Sequence, residues 1–245
     1  MSKGKPVVPY SGQKSSKKEQ VSKMFDRIAP TYDLLNRILS LGIDRSWRRK
    51  AVAHLQGIKL DHVLDIATGT GDVAIEIARQ YHSTRILGMD LADHMLEIGR
   101  KKIERRNLQN RIQFQRGDSE NIPYADNTFS AVTVAFGVRN FENTLLGLKE
   151  CNRVLKPQGR FIVLEFSNPK IFPFKQIYRA YFKYILPFIG KITSSDRNAY
   201  EYLFHSVQAF ASGKEFVLLL KNAGFRNIRL KELTLGICTI YVAVK

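Results

Sequence analysis

The chain of 245 residues is long enough for one α/β domain of ordinary size. Its composition, 44% hydrophobic and 25% charged, can supply a hydrophobic core and excludes disorder of the whole chain. Two cysteines are too few for a disulfide framework, and no Cys/His cluster has metal-site spacing. No apolar run reaches the roughly 18 residues of a membrane-spanning helix, so we expect a cytoplasmic protein without a bound metal.

The formal net charge of +17 is unevenly distributed along the sequence. Residues 1–60 carry 13 Lys and Arg against 4 Asp and Glu, and residues 166–245 carry 12 against 4. Residues 61–165, between these two basic ends, are neutral, with 14 residues of each sign. Basic ends of this kind attract nucleic acid, anionic lipid or a phosphorylated ligand, and the charge alone does not choose between them.

The N-terminal part of the chain has a helical pattern. Residues 1–20 have almost no apolar periodicity, and we predict that they form a flexible basic arm. Helical spacing of apolar residues follows in three stretches, over residues 21–28, 33–41 and 46–55, with a break at Ala29-Pro30. We therefore predict that residues 21–60 form a helical cap on a single domain of residues 21–245.

Strands and helices alternate over residues 61–166, which we predict to be the cofactor-binding half of the domain. The predicted strands cover residues 62–67, 85–90, 112–116, 129–136 and 160–166. The predicted helices between them cover residues 72–81, 95–103 and 144–155. This alternation indicates a doubly wound, Rossmann-like α/β fold, in which helices cover both faces of a mostly parallel sheet.

The alternation ends after residue 166. Residues 171–190 mix aromatic side chains with lysine and arginine at helical spacing, and we predict a lid insertion over residues 167–212. A helix over Lys214–Asn222 and two strands, 226–233 and 236–244, form a predicted C-terminal helix and hairpin within residues 213–245.

The loop Thr68-Gly69-Thr70-Gly71 is the clearest sign of a binding site. It follows a buried strand and precedes a helix, and its glycines let the backbone turn tightly and approach a ligand. Ligands of open α/β sheets bind at the carboxyl ends of the strands. The spacing Gly69-x-Gly71-x-x-Ala74 fits a dinucleotide site, but the same turn also serves an S-adenosylmethionine site.

Acidic residues at three strand ends favour S-adenosylmethionine. Asp65 would bind the ammonium group, Asp90 the ribose hydroxyls and Asp118, with Ser119 beside it, the adenine amino group. Short-chain dehydrogenases need Tyr-x-x-x-Lys on a helix after the glycine loop, and here that pair occurs only in the terminal strand. We predict S-adenosyl-L-methionine as the cofactor, bound by Asp65, Gly69, Thr70, Gly71, Asp90, Asp118 and Ser119.

With these features the sequence resembles the class I S-adenosylmethionine-dependent methyltransferases. That resemblance implies a seven-stranded sheet whose last strand is antiparallel, in agreement with the predicted hairpin. Three further motifs are similar to those of the UbiE/MenG quinone C-methyltransferases, and the similarity runs from about residue 21 to the C-terminus. They are Tyr32-Asp33-x-x-Asn36 followed by Trp47, Gly137-x-Arg139-Asn140, and Arg153–Gly159 leading to Glu165-x-Ser167.

The family resemblance implies methylation of a ring carbon on a polyprenyl hydroquinone. The expected reaction is demethylmenaquinol to menaquinol in menaquinone biosynthesis, with the benzoquinol of the ubiquinone pathway as the alternative. Three residues are predicted to be catalytic. Arg139 would stabilise the ring oxyanion, Asn140 would orient the hydroxyl, and Tyr32 would cover the ring.

The expected partners follow from this acceptor. A polyprenyl hydroquinone lies in the bilayer, so we expect peripheral contact of Phe172–Lys191 with the anionic inner face of the cell membrane. We expect no nucleic-acid partner, and whether the protein is a homodimer stays open. The competing functions are an RNA or protein methyltransferase, which the basic charge favours, and a non-catalytic subunit that binds S-adenosylmethionine.

Overall fold

A computed structural model describes residues 7–169, 172–173, 175–176, 180, 196 and 198–245. Its strands are β1 (His62–Ile66), β2 (Arg85–Asp90), β3 (Ile112–Arg116), β4 (Phe129–Ala135), β5 (Leu155–Phe166), β6 (Arg226–Leu233) and β7 (Cys238–Val244). Its helices are α1 (Lys17–Leu39), α2 (Ile43–Ala53), α3 (Asp72–Gln80), α4 (Asp93–Glu104), α5 (Thr144–Val154), α6 (Asn198–Ala209) and α7 (Lys214–Asn222). Short 3-10 turns lie at Val138–Asn140 and Thr234–Gly236.

The strands form one seven-stranded sheet in the order β3-β2-β1-β4-β5-β7-β6. Strands β1 to β5 pair in parallel, and β7 pairs antiparallel with both β5 and β6. The direction in which successive strands are added reverses between β1 and β4. The carboxyl ends of these two strands therefore form the switch point at which open α/β sheets bind ligands. The predicted fold class, including the C-terminal hairpin, is confirmed.

The hydrophobic core occupies both faces of the sheet, with a third cluster at its edge. On one face α5 and α7 pack around Phe161 and Phe216, and on the other α2 and α3 pack around Trp47 and Ile77. The third cluster joins α1 to α4 and α6, and its members include Met24, Met95 and Tyr202. This third cluster fixes the helical cap over the carboxyl edge of the sheet.

The predicted helix break at Ala29-Pro30 is wrong, because α1 runs through Pro30 without interruption. Proline lacks the N–H that would bond to the carbonyl of Asp26, four residues earlier. That carbonyl instead lies 3.4 Å from Nδ1 of His94, and the Asp26 carboxylate accepts a 2.9 Å hydrogen bond from the His94 backbone N–H. Packing against α4 thus replaces the contact that the proline removes.

Part of the segment predicted to be a flexible arm is packed on the domain. Helix α1 begins at Lys17, and the Tyr10 ring is buried, with its backbone N–H donating to Gln20 at 3.0 Å and its hydroxyl to Asp196. Residues 1–6 lie outside the described residues. So does most of Phe172–Lys191, while α6, in the same predicted insertion, is a helix that the sequence pattern did not predict.

Three glycines form a slot for the ring of Phe114, where α3 and α4 approach the sheet closely. A Cβ atom added at Gly71, Gly88 or Gly99 would lie 2.4, 2.5 or 2.9 Å from an atom of that ring. At Gly88 the new Cβ would also lie 2.8 Å from the hydroxyl oxygen of Thr68, next to the glycine loop. Because these glycines have no side chains, α3 and α4 can pack close to strands β2 and β3.

Gly88→Ala should lower the free energy of unfolding by about 1–3 kcal/mol, because the added methyl overpacks the Phe114 slot. Chemical denaturation would measure the loss, with Gly12→Ala as the control, since a Cβ at Gly12 meets nothing within 4 Å. Adding Phe114→Leu to Gly88→Ala should recover part of the stability. If the stability losses of the single variants Gly88→Ala and Phe114→Leu simply add in the double variant, this account of the slot is contradicted.

Candidate active site

A cavity of about 740 Å³, its open mouth included, lies at the switch point of the sheet. A smaller cavity of about 380 Å³ adjoins it, and the five wall residues that the two share are Tyr32, Ala67, Gly69, Ala135 and Phe136. Of the predicted site residues, the larger cavity is lined by Tyr32, Gly69, Asp90, Asp118, Ser119 and Asn140. The smaller one adds Asp65 and Thr70, whereas Gly71 and Arg139 line neither.

The two glycines of the loop have different roles. Both have positive φ, +55° at Gly69 and +80° at Gly71, which L-residues rarely adopt. A Cβ at Gly69 would meet nothing within 4 Å, so this glycine faces open space, and its N–H donates to Asp90 at 2.8 Å. Gly71 instead packs against Phe114 and precedes α3. Of these two loop glycines, Gly69 is the one in place to contact a ligand.

Asp90 ends β2 with its carboxylate held by two backbone amides. Oδ2 accepts the 2.8 Å bond from Gly69, and Oδ1 accepts a 3.0 Å bond from the N–H of Ala92. Burial raises the pKa of Asp90, and these two backbone bonds oppose that shift. A carboxylate oxygen accepts more than one hydrogen bond, so the group keeps acceptor capacity for the hydroxyls of a ribose.

Asp65 is a buried carboxylate at the end of β1, with 1% of its surface exposed. It accepts 2.6 Å hydrogen bonds from the hydroxyls of Thr68 and Thr133. Burial raises its pKa to about 6, and the charge of Asp90 acts in the same direction. Among the described residues it has no Lys or Arg partner within 4 Å. A cationic ligand group would supply the missing countercharge.

Asp118, predicted to bind the adenine, is engaged by the cap helix. Its Oδ2 lies 2.8 Å from Nζ of Lys18, and its Oδ1 accepts a 2.9 Å bond from the N–H of Glu120. Lys18 lies 3.9 Å from Glu142 as well and forms part of the cavity wall. An adenine amino group at Asp118 would therefore share this carboxylate with Lys18 or displace the lysine.

A chain of charged groups ties the glycine loop to the cap. The Thr70 hydroxyl donates to Asp33 of α1 at 2.6 Å, and Lys102 of α4 donates to both Asp33 and Thr70, at 2.8 and 2.9 Å. Lys102 also bonds to Asp72 at 2.5 Å, and Arg48 of α2 lies 3.1 Å from the same carboxylate. Thr70, predicted to bind the cofactor, is thus mainly part of this network.

Arg139 forms a buried ion pair behind the cavity wall. Its guanidinium donates to Glu165 at 2.7 Å and also to the carbonyl of Phe136; the side chains of the pair are 6% and 0% exposed. Asn140 and Gly137 form the wall in front of it. The Nε–H of Arg139 has no hydrogen-bond partner among the residues that the structure describes. Its positive charge therefore lies close to the cavity without lining it.

Lys17 braces the turn that carries Arg139 and Asn140. Its ammonium donates to the carbonyls of Arg139 and Phe141, at 3.0 and 2.8 Å, and its backbone N–H donates to Glu142 at 2.9 Å. Burial lowers the pKa of this lysine to about 8. Lys17 lies in the segment predicted to be a flexible arm, and the sequence pattern does not predict this contact.

Two tyrosines and one amide gather in front of the buried arginine. The hydroxyl of Tyr202, on α6, donates to Oδ1 of Asn140 at 3.1 Å, and Tyr32 lines both cavities. Burial raises the pKa of both phenols, and the charge of Arg139 opposes the rise in each. At Tyr202 the paired Glu165 carboxylate acts against Arg139 and raises the pKa, so the wall combines aromatic surface with a buried ion pair behind it. Tyr202 could not be found from sequence because its helix was not predicted.

The described residues fit the predicted cofactor. The two adjoining cavities are lined by Asp65, a buried carboxylate without a cationic partner among the described residues, and by Asp90, whose carboxylate is oriented by two backbone amides. Gly69, which faces open space, lies between them. In the described ranges no group of His, Cys, Asp and Glu could hold a metal ion, and no helix is long and apolar enough to cross a bilayer.

Solved structures share the fold. A SAM-dependent methyltransferase from Aquifex aeolicus superposes with a TM-score of 0.61 at 19% identity, over 86% of this chain and 96% of that one. A SAM-dependent methyltransferase from Thermotoga maritima, described as a possible histamine N-methyltransferase, gives 0.65 at 20% identity, over 91% and 99%. The fold is therefore that of the S-adenosylmethionine-dependent methyltransferases.

Sequence relatives identify the family. The sequence model of the ubiE/COQ5 methyltransferase family matches residues 13–245, and the chain belongs to this family. The demethylmenaquinone methyltransferase of Bacteroides fragilis is 44% identical over 239 residues, which are 98% of this chain and 97% of that protein. The ubiquinone/menaquinone biosynthesis C-methyltransferase UbiE of Geotalea daltonii is 47% identical over 232 residues, 94% and 98% of the two chains. The predicted family and its cofactor, S-adenosyl-L-methionine, are confirmed.

Arg139→Met should lower the free energy of unfolding by about 3–5 kcal/mol, because it leaves Glu165 buried without a countercharge. The double variant Arg139→Met/Glu165→Gln should regain most of this stability, as measured by chemical denaturation. Arg79→Met is the control, since its partner Glu76 lies 2.7 Å away in a pair whose arginine is 60% exposed, and solvent screening should leave its loss with little effect on stability. A double variant as unstable as Arg139→Met would contradict this assignment.

Proposed function

We propose that the protein methylates a ring carbon of demethylmenaquinol and thereby forms menaquinol. The observation that carries the proposal is the continuity of the site, in which the cavities lined by Asp65 and Asp90 extend to the wall formed by Tyr32 and Asn140. The names of the relatives in Bacteroides fragilis and Geotalea daltonii support the same acceptor. When bound, S-adenosylmethionine supplies a methyl group on an electron-deficient sulfonium sulfur.

The cofactor end of the site has a distinct task for each carboxylate. Asp65 neutralises the ammonium group of the methionine moiety, and Asp90 accepts hydrogen bonds from the ribose. Gly69 lets the backbone approach the ligand, and Asp118 with Ser119 contacts the adenine. The charge network around Thr70 supports the loop from behind, because it ties the loop to α1 through Asp33 and to α4 through Lys102.

Arg139 activates the acceptor through its charge. A ring carbon becomes nucleophilic when the neighbouring hydroxyl loses its proton, and an unperturbed phenol has a pKa of about 10. Burial raises that pKa, whereas a nearby cation lowers it. Burial raises the pKa of Tyr32 and Tyr202, and the charge of Arg139 opposes that rise, so a hydroquinone against the same wall meets the same opposing influence, reduced by the paired charge of Glu165. The guanidinium itself stays protonated and is not the base.

Asn140 and Tyr32 orient the ring. Because Oδ1 of Asn140 accepts the hydrogen bond from Tyr202, its NH2 group remains to donate to the oxyanion of the acceptor. Tyr32, together with Phe25 and Phe136, gives the cavity the aromatic surface that suits a naphthoquinol. These apolar walls favour a lipid-like ring over a nucleotide or a charged side chain as the acceptor.

A benzoquinol of the ubiquinone pathway is the second candidate acceptor, because the relative in Geotalea daltonii is named for both pathways. Both rings are polyprenyl hydroquinones and reside in the bilayer. We therefore also propose that the protein works in peripheral contact with the anionic inner face of the membrane, where its charge of +17 draws it to the lipid.

The direct test is methyl transfer by the purified full-length protein. With labelled S-adenosylmethionine and chemically reduced demethylmenaquinone, the label should appear on a ring carbon, as located by mass spectrometry of the product. Reduced demethyl-benzoquinol in a parallel assay ranks the two acceptors. Absence of label in both products, with S-adenosylhomocysteine still bound by calorimetry, would contradict the proposed function.

The variant Arg139→Met/Glu165→Gln tests the role of the buried cation in the same assay. It should lose turnover by a factor on the order of 10, because the cation acts on the oxyanion from behind the cavity wall and not through a direct hydrogen bond, which is typically worth a factor of about 100 or more. Its affinity for S-adenosylhomocysteine should stay unchanged, since the pair lies outside the cofactor end. Wild-type turnover in the stable double variant would remove Arg139 from the mechanism.

A further inference from the structure

The junction of α1 and α2 exposes large aliphatic side chains. Leu34, Leu41 and Ile43 are 59%, 84% and 38% exposed, and they lie on the last turns of α1, the connecting turn and the first residue of α2. We call these three residues, with Arg37 and Arg45 between and beside them, the α1–α2 corner. Grouped aliphatic side chains on a protein surface mark a contact with another body.

The turn holds Leu41 outward in a strained conformation. Its φ of +51° lies in the left-handed region, which is unfavourable for a bulky L-residue. The N–H of Gly42 donates to the carbonyl of Arg37 at 2.9 Å, and the hydroxyl of Ser40 donates to Asp44 at 2.6 Å, so the turn is fixed. Glycine or asparagine would suit this backbone better, so stability of the fold does not account for a leucine here.

The unpaired charge of the corner is positive, because its acidic neighbours Asp33 and Asp44 form ion pairs with Lys102 and Arg48. Asp44 is the only acidic residue between residues 34 and 60, and it is buried in a pair with Arg48 at 2.7 Å. Arg37 and Arg45 are exposed. The corner therefore combines aliphatic tips with uncompensated arginine, which is the composition of elements that lie in the interface of an anionic bilayer.

The corner also adjoins the acceptor end of the site. Tyr32 lines both cavities, and Leu34 follows it by two residues on the same helix. A ring held at Tyr32 that carries a long apolar chain needs a route from lipid to the cavity. A corner seated in the bilayer would keep that route short.

We infer that the α1–α2 corner docks the protein on an anionic membrane, with its aliphatic side chains among the lipid chains and its arginines at the headgroups. The inference rests on the proposed function, because a polyprenyl acceptor resides in the bilayer. Nucleic acid would leave Leu41 in water, and a second copy of this chain would bring arginines of like charge together. Anionic lipid satisfies both parts of the corner.

Flotation of the full-length protein with vesicles tests the inference. The protein should bind vesicles of phosphatidylcholine mixed with phosphatidylglycerol and should not bind vesicles made only of phosphatidylcholine. Leu41→Asn, which suits the left-handed turn, should weaken the partition by roughly tenfold through loss of the inserted side chain. Arg37→Gln/Arg45→Gln should weaken it on the order of 25-fold, at about fivefold per arginine.

Matched variants separate the corner from net charge and general hydrophobicity. Leu218→Asn removes a leucine that is 59% exposed on α7, and Arg226→Gln/Arg229→Gln removes two exposed arginines from β6. Both controls should bind like the wild type. The inference would be overturned if the corner and control variants lost vesicle binding equally. It would also be overturned if both corner variants bound the vesicles like the wild type. So would a change of oligomeric state in Leu41→Asn by light scattering, which would make the corner an interface between copies.

The failure of docking and the failure of the proposed function are distinguishable. With a short-chain demethylmenaquinol dispersed in water, the corner variants should transfer methyl groups at the wild-type rate, because no membrane is involved. With the long-chain acceptor in anionic vesicles, their rate should fall in proportion to the lost binding. No transfer by the wild type to the short-chain acceptor would count against the proposed function alone.

Discussion

A buried carboxylate without a countercharge is the constraint around which the site is organised. Asp65, at the end of β1, is 1% exposed; two threonine hydroxyls and the backbone N–H of Ala74 stabilise its charged form, and the charge of Asp90 opposes it. Such a group is unfavourable in the ionised form, and its raised pKa expresses that cost. The fold retains it at the switch point, where a ligand with an ammonium group would turn the cost into binding free energy.

The helical cap is an integral part of this site. Helix α1 contributes Lys18 at one end of the larger cavity and Tyr32 at the other, and Lys17 braces the turn that carries Asn140. Asp33 of the same helix bonds to the glycine loop through Thr70. One helix therefore supplies side chains to both the cofactor end and the acceptor end of the site. The packing of α1 on α4 through Asp26 anchors this element to the sheet.

The sequence predicted what depends on local pattern. Strands β2 and β3 and helix α7 have the predicted bounds, because their hydrophobic periods are clear and turn residues flank them. Asp90 and Asp118 meet at one cavity because parallel strands end at the same edge. The pairing of Arg139 with Glu165 was not predicted, although both residues lie in motifs, since it depends on β4 and β5 being neighbours. Pro30 within α1 is explained only by contacts with α4.

Proton release on binding tests the claim about Asp65 most directly. Near pH 6, where its pKa lies, about half of the carboxyl is protonated, and an ammonium group beside it lowers that pKa. Titration calorimetry of S-adenosylhomocysteine in buffers of different ionisation enthalpy should therefore show protons released at this pH and little exchange at neutral pH. Asp65→Asn should abolish the release and weaken binding, while Asp61→Asn, an exposed carboxylate, should change neither. Binding without proton release at pH 6, or the same release in Asp65→Asn, would contradict the account.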